Sequence, residues 1–295
     1  MHIAIASGKG GTGKTTVAAS LVSTWDGPVT AVDLDVEEPN LHLFLNPDIQ
    51  GTEKAFLEIP VVDEELCTYC GACSELCQFK AISVMGDLIM TFPEMCHGCG
   101  GCMAICPEKA VTAGQRELGE VSWGTAGKAG FLMGQLRIGE AMSPPLMRIV
   151  KHKLHEQLRK AGTDVIVDAP PGVSCPAIAA VMGSDAIVLV TEPTPFGLYD
   201  FKLAWEAFSP LGLPMGAVIN RSGIGNDAVH AFCREAGIPI LAEIPYRRGI
   251  AEAYSRGEVI AGHSRDIAAI FTDLRQSIKE LAAGSHAGTK EAAHA

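Results

Sequence analysis

The chain has 295 residues, 47% of them apolar, enough to bury a substantial core as one large domain or two smaller ones. A formal charge of −11 argues against a broad electrostatic grip on nucleic acid or anionic membrane, so neither is an expected partner. There is no apolar run of the roughly eighteen residues a membrane span needs, and no basic-flanked leader, so a soluble, cytoplasmic protein is expected.

The chain enters "HIAIASG" as a first buried strand, followed by "GKGGTGKT" from Gly8 to Thr15, which satisfies the eight-residue phosphate-loop pattern. A helix is predicted from Lys14 to about Trp25, then a second strand in "PVTAVDLD". Glycines at 8, 10, 11 and 13 let backbone N–H groups turn toward a phosphate, and the following helix N-terminus adds positive potential there. Lys9, Thr12, Lys14, Thr15 and Thr16 complete the candidate nucleotide loop, with Lys14 reaching the β- and γ-phosphates of ATP and Thr15 ligating Mg²⁺. Lys9 is a second lysine that the loop pattern does not require. Asp33 and Asp35 end the second strand.

Residues 61–113 lack strand and helix alternation and are dominated by cysteine. Of ten cysteines, eight lie between Cys67 and Cys106, which in a cytoplasmic chain reads as metal ligation more readily than as disulfides. "CTYCGACSELCQFKAI" from Cys67 matches "CHGCGGCMAICPEKAV" from Cys96 with every cysteine in register, a repeat of 29 residues. Each run has two, two and three residues between its cysteines, the bacterial ferredoxin spacing for [4Fe–4S] clusters, in which the fourth thiolate serves the other cluster. Cluster one is thus assigned to Cys67, Cys70, Cys73 and Cys106, and cluster two to Cys96, Cys99, Cys102 and Cys77. Pro107 follows the second run as the pattern asks, whereas Gln78 replaces proline after the first. Zinc is the competing reading, since CxxC pairs also suit a tetrahedral ion.

Residues 119–147, Gly-rich with alternating apolar positions, suit a hairpin or edge structure rejoining the sheet. "DVIVDAPPG", "DAIVLVTEPT", "MGAVINRSG" and "IPILAEIPY" then read as further strands, implying a mostly parallel sheet with helices on both faces. Asp168, ending the run "DVIVD", is the candidate holder of the Mg²⁺ water shell. A last helix places Ile267, Ile270, Phe271, Leu274, Ile278 and Leu281 on one face. The expected organisation is an α/β phosphate-loop domain in two parts, residues 1–60 and 114–284, a ferredoxin-like insert at 61–113, and a flexible tail at 285–295.

"KGGTGKTT", "DLD", "DAPPG" and "VINR" together resemble the deviant phosphate-loop ATPases of the MinD/ParA/Mrp type, which include the nitrogenase iron protein. The resemblance covers residues 1–60 and about 115–280. It implies an ATP-dependent dimer in which Lys9 crosses the interface to the partner's nucleotide. It also implies that Lys9, Lys14 and Asp35 act in hydrolysis, Asp35 by orienting water. Asn220 would read the adenine edge, and Pro245 and Tyr246 would pack on the base. Cys175, seven residues after Asp168, matches a ligand of the nitrogenase iron protein's bridging cluster, but no second matching cysteine is evident. Together with the cysteine insert, the chain is similar to ferredoxin-containing MinD-like ATPases, loosely called cobyrinic acid a,c-diamide synthase-like, some associated with an orange protein carrying a molybdenum and copper cluster.

The expected function is ATP-driven coupling of nucleotide state to electron transfer, or to metallocofactor assembly, on a redox or metallocofactor partner protein. A homodimer or a heterodimer with a related ATPase is implied. The competing readings are a spatial-positioning ATPase, against which the charge and the lack of a basic amphipathic C-terminus count, and a carrier whose clusters are cargo. Corrinoid amidation would need an amidotransferase part for which the chain has no room.

Overall fold

The computed structural model describes residues 1–158 and 162–291. In chain order the first elements are β1 (His2–Ala6), α1 (Lys14–Thr24), β2 (Val29–Asp33), α2 (Leu41–Leu45), β3 (Asp48–Val62), α3 (Ala72–Leu76), β4 (Ile82–Met85), β5 (Leu88–Thr91), α4 (Gly101–Ile105), β6 (Val111–Ala126) and β7 (Ala129–Leu136). There follow α5 (Ser143–Leu158), β8 (Asp164–Asp168), α6 (Cys175–Val181), β9 (Ala186–Thr191), α7 (Pro195–Phe208), β10 (Met215–Ser222), α8 (Ala228–Ala236), β11 (Ile240–Pro245), α9 (Arg248–Ser255) and α10 (Arg265–Glu291).

The six apolar runs of the sequence become β1, β2, β8, β9, β10 and β11. They are apolar on both faces, so only a sheet covered by helices on both sides can bury them. The sheet order is β11-β10-β9-β1-β8-β2-β7-β6-β3, parallel from β11 to β7 and antiparallel thereafter. Because side chains alternate along a strand, Ala4, Ala6, Val165 and Val167 enter one core while Ile3, Ile5 and Ile166 enter the other. The predicted face of α10 is buried as expected: Ile267, Phe271, Leu274 and Ile278 are fully inaccessible, with Ile270 and Leu281 packed beside them.

The Gly-rich stretch does fold back as a hairpin. β6 and β7 pair antiparallel around Gly127 and Lys128, with Gly127 at φ 60°, the left-handed backbone that glycine adopts without penalty. β7 then lies parallel to β2. The end of that stretch differs from expectation, since Ser143 to Met147 already belong to α5.

Two boundaries also differ. β3 and β6 pair from Asp48↔Thr125 to Val62↔Val111, so the expected domain edges at 60 and 113 fall inside two continuous strands. These strands leave the sheet and carry the cysteine unit at their far end. β3 is largely exposed and polar, which hid it from a search for buried runs. At the C-terminus, α10 runs on to Glu291, past Gly284 where a tail is expected. Residues 292–295 of that tail lie outside the described residues.

Phe271→Ala should lower unfolding stability by about 3–5 kcal/mol, since the residue is fully enclosed and its site cannot collapse. Urea unfolding should show a lower midpoint with an unchanged slope.

Candidate nucleotide site and cysteine cavities

The registers Ile5↔Asp168 and Asp33↔Asp168 bring the C-terminal ends of β1, β8 and β2 level. That edge is where the strand order reverses, the usual crevice of an open α/β sheet. Two glycines are sterically required in the loop above it: a Cβ at Gly8 would lie 2.0 Å from Asp200 O, and one at Gly13 would lie 2.2 Å from Asn220 Nδ2.

Lys14 Nζ lies 2.6 Å from Asp168 Oδ1 and 4.0 Å from Asp35 Oδ2, and Thr15 Oγ1 donates to Asp168 Oδ2 at 2.6 Å. Burial alone would lower the Lys14 pKa, but the charge and hydrogen bond of Asp168 outweigh it and the net shift is upward. Asp33 is fully enclosed; its carboxylate accepts from the backbone N–H groups of Asp35, Asn40 and Leu41. Burial, then the charge of Asp168, pushes Asp33 up to about 8 against those hydrogen bonds. Burial raises Asp35 to about 6, with Lys14 pulling the other way.

These groups line a cleft of about 390 Å³ that holds every predicted loop residue from Lys9 to Thr16, together with Asp35, Asn220, Pro245 and Tyr246. Asp168 is bonded to Lys14 and Thr15 of this lining, while Gly8 packs against Asp200 and does not itself line the cleft. Thr12 Oγ1, in the same loop, is buried without a hydrogen-bond partner. Asn220 donates to Thr12 O at 2.8 Å, which braces the loop, and its amide oxygen accepts from the backbone N–H of the neighbouring Arg221 at 2.9 Å.

Sequence reasoning missed several cleft residues. Phe44 and Tyr254 form a ring pair at 5.4 Å on the wall, and Glu38, Arg247 and Ile250 line it as well. It also missed Glu192, whose carboxylate pairs with Lys9 at 2.8 Å and Arg221 at 2.7 Å. The signal for Glu192 is the one used for Asp168, a carboxylate directly after an apolar strand.

The cysteine unit keeps the internal repeat in its backbone. Tyr69, Gly71 and Lys80 have positive φ, and so do Gly98, Gly100 and Lys109, the same three places one repeat later. Ala81 N donates to Cys77 Sγ and Ala110 N to Cys106 Sγ, both at 3.3 Å. The eight thiols divide between two cavities. One, of about 20 Å³, is lined by Cys67, Cys70, Cys73 and Cys106; the other, of about 220 Å³, by Cys77, Cys96, Cys99 and Cys102. Each set draws three cysteines from one run and one from the other. Among the described residues no group of three or more His, Cys, Asp or Glu converges to hold a single metal ion. His97 is exposed and stacks on Phe79 at 3.5 Å.

The other two cysteines stand apart. Cys233 is buried in α8, where burial pushes its thiol up to about 11. Cys175 is exposed at the start of α6. No described helix is long and apolar enough to cross a membrane.

A model of the CobQ/CobB/MinD/ParA nucleotide-binding domain matches residues 3–260. The chain belongs to this family. Two uncharacterized proteins of Methanocaldococcus jannaschii, MJ0578 and MJ0579, are 33% and 29% identical to it, over 95% and 96% of this chain and 97% and 96% of their own. Among solved structures, the cell division ATPase MinD of Pyrococcus furiosus aligns over 95% of this chain and 98% of its own, with a TM-score of 0.57 and 23% identity. The septum site-determining protein MinD of Pyrococcus horikoshii, complexed with Mg-ADP, aligns over 95% and 96% with a TM-score of 0.56 and 22% identity. The fold of this family member is therefore that of a MinD-like phosphate-loop ATPase.

The raised carboxylates set a pH dependence with a definite sign. Between their ordinary value and about 8, Asp33 stays protonated in the folded protein while the unfolded chain has released that proton, so stability falls as pH rises through this window. Asp33→Asn should flatten that fall between pH 5 and 8, measured by urea unfolding of the nucleotide-free protein; an equal slope in both proteins would contradict it.

Proposed function

We propose that the protein is a Mg²⁺-dependent ATPase, dimeric when ATP is bound, that couples nucleotide state to electron transfer or metallocofactor assembly on a partner protein. The observation that carries this reading is one chain holding two chemistries: a phosphate loop over aligned strand-end carboxylates, and two cavities each lined by four cysteines drawn from both runs.

At the nucleotide site, the loop N–H groups and Lys14 bind the β- and γ-phosphates, and Thr15 with Asp168 holds Mg²⁺. The thiol and carboxylate sets fit their proposed guests: Thr15 Oγ1 and Asp168 Oδ2 already meet at 2.6 Å, and each cavity gathers four cysteine sulfurs, three from one run and one from the other. Asp35 orients the attacking water, a role that needs its carboxylate deprotonated. The base packs on Pro245 and Tyr246, with Phe44 and Tyr254 on the same wall. Asn220 reads the adenine edge with the N–H and oxygen lone pair that its bonds to Thr12 and Arg221 leave free. Lys9 serves the nucleotide of a second copy, or of a related ATPase in a heterodimer.

Two [4Fe–4S] clusters, held by Cys67, Cys70, Cys73 and Cys106 and by Cys96, Cys99, Cys102 and Cys77, supply one-electron redox capacity when bound. What supports them over zinc is the exchange of one cysteine between runs, since structural zinc sites pair short CxxC units. The chain's likeness to MinD folds favours a second reading, a spatial-positioning ATPase, in which the cysteine unit serves only as an adaptor. Clusters that transfer to an apo acceptor would instead mark the chain as a carrier. A third, bridging cluster at Cys175 has no matching second cysteine on the same face.

Anaerobically purified protein should carry about eight iron and eight sulfide per chain. Its reduced EPR spectrum should change on adding Mg-ATP; iron-free protein would end the redox reading. Cys106→Ser should remove about half of the iron and leave the other signal in place.

Lys14→Ala should weaken ATP binding by at least about 100-fold, the loss of a charge-assisted contact in a buried site. Lys9→Ala should still bind ATP but fail to dimerise or hydrolyse it, seen by sedimentation and phosphate release. Full activity of that variant would show that Lys9 has no partner nucleotide to serve.

A further inference from the structure

Lys9 is not free in this structure. Its Nζ pairs with Glu192 Oε1 at 2.8 Å, while Arg221 Nη1 holds the other oxygen at 2.7 Å and Thr194 Oγ1 approaches Oε1 at 3.2 Å. The carboxylate is 9% exposed, and the backbone around it is clasped. A Cβ at Gly197 would lie 2.3 Å from Glu192 O, and one at Gly225 would lie 1.7 Å from Pro193 O. Arg221 has φ 55°, a left-handed conformation uncommon for a side chain of its size. From there its Nη2 also donates to Gly11 O at 3.2 Å, tying Glu192 to the phosphate loop.

We propose that Glu192 is a positioning residue for Lys9. It holds the lysine on its own subunit and releases it only when the nucleotide of a second copy offers a stronger anion. The inference rests on the proposed reading that Lys9 serves a second copy.

The chemistry explains why three groups are present and not two. A buried carboxylate that lost its only cation would be left uncompensated, at a cost that would keep Lys9 parked permanently. Arg221 remains on Glu192 when Lys9 leaves, so the exchange leaves no naked charge. Thr194 keeps a hydrogen bond to the same oxygen. A terminal phosphate carries more charge than a carboxylate, so the exchange favours the ATP-bound pair over the solitary subunit.

The test is a cycle of variants read by sedimentation equilibrium with saturating Mg²⁺ and a non-hydrolysable ATP analogue. Glu192→Gln keeps the shape and removes the charge, and should lower the protein concentration at half-dimerisation by at least about tenfold. Glu192→Asp, which keeps the charge but shortens its reach, should move the midpoint the same way by a smaller factor. In a Lys9→Ala background, Glu192→Gln should bring no gain, because the two residues act as one unit. Weaker or unchanged dimerisation in Glu192→Gln, or an equal gain with Lys9 absent, would overturn the role of Glu192 while leaving the ATPase reading intact. Dimerisation of Lys9→Ala at the wild-type midpoint would overturn the reading itself, and the inference with it.

Discussion

A buried ammonium among buried carboxylates governs this structure. Lys14 is 7% exposed, Asp168 and Asp33 are inaccessible, and Asp35 is partly buried, all at one edge of the sheet. Charges taken out of water hold only if each has a partner in good geometry, so the strands that deliver them cannot slip by a residue. A shift of β8 by one place would turn Asp168 into the opposite core and leave Lys14 without its closest carboxylate. The alternation of Ala4 and Ala6 against Ile3 and Ile5 enforces the same register from the apolar side. Packing and electrostatics thus specify one alignment, and the phosphate loop inherits it.

The nucleotide-free site carries more acid than its single buried lysine can neutralise, which explains the directions of its pKa shifts. Asp33 and Asp35 move up because burial and neighbouring carboxylates disfavour a further negative charge. A divalent cation placed among these carboxylates would reverse that balance. Such functional sites are where stability is commonly given up.

Much of the sheet was legible in the sequence, for a physical reason. Strands β1, β2 and β8 to β11 are covered on both faces, so they are written as short unbroken apolar runs. β3 and the start of β6 escaped because most of β3 is exposed, with only Ala55, Leu57 and Pro60 buried along it. The loop residues and both cysteine quartets were readable because spacing along the chain encodes them. The pairing of Lys9 with Glu192 was not, since that contact spans 183 residues, although Glu192 itself follows an apolar strand directly. Asn220 was legible as a site residue, but only the fold shows that its amide is already engaged with Thr12 and Arg221.

The same edge of the sheet supplies a short covalent route from nucleotide to cysteine unit. Asp33 fixes the backbone of Asp35, Asn40 and Leu41, the segment that leads through α2 into β3. β3 and its partner β6 are the two strands that carry the cysteine unit. In parallel, β2 is bonded to β7 and β7 to β6, so the strand that ends in Asp33 is also tied laterally to the arm. Spatial continuity alone does not make two sites communicate; a two-state element must be biased by both. The segment from Asp33 to Leu41 lies on that route, and three of its backbone N–H groups hang on one buried carboxylate. Changing its charge alters the strength of all three bonds together, at the point where the chain departs for the arm.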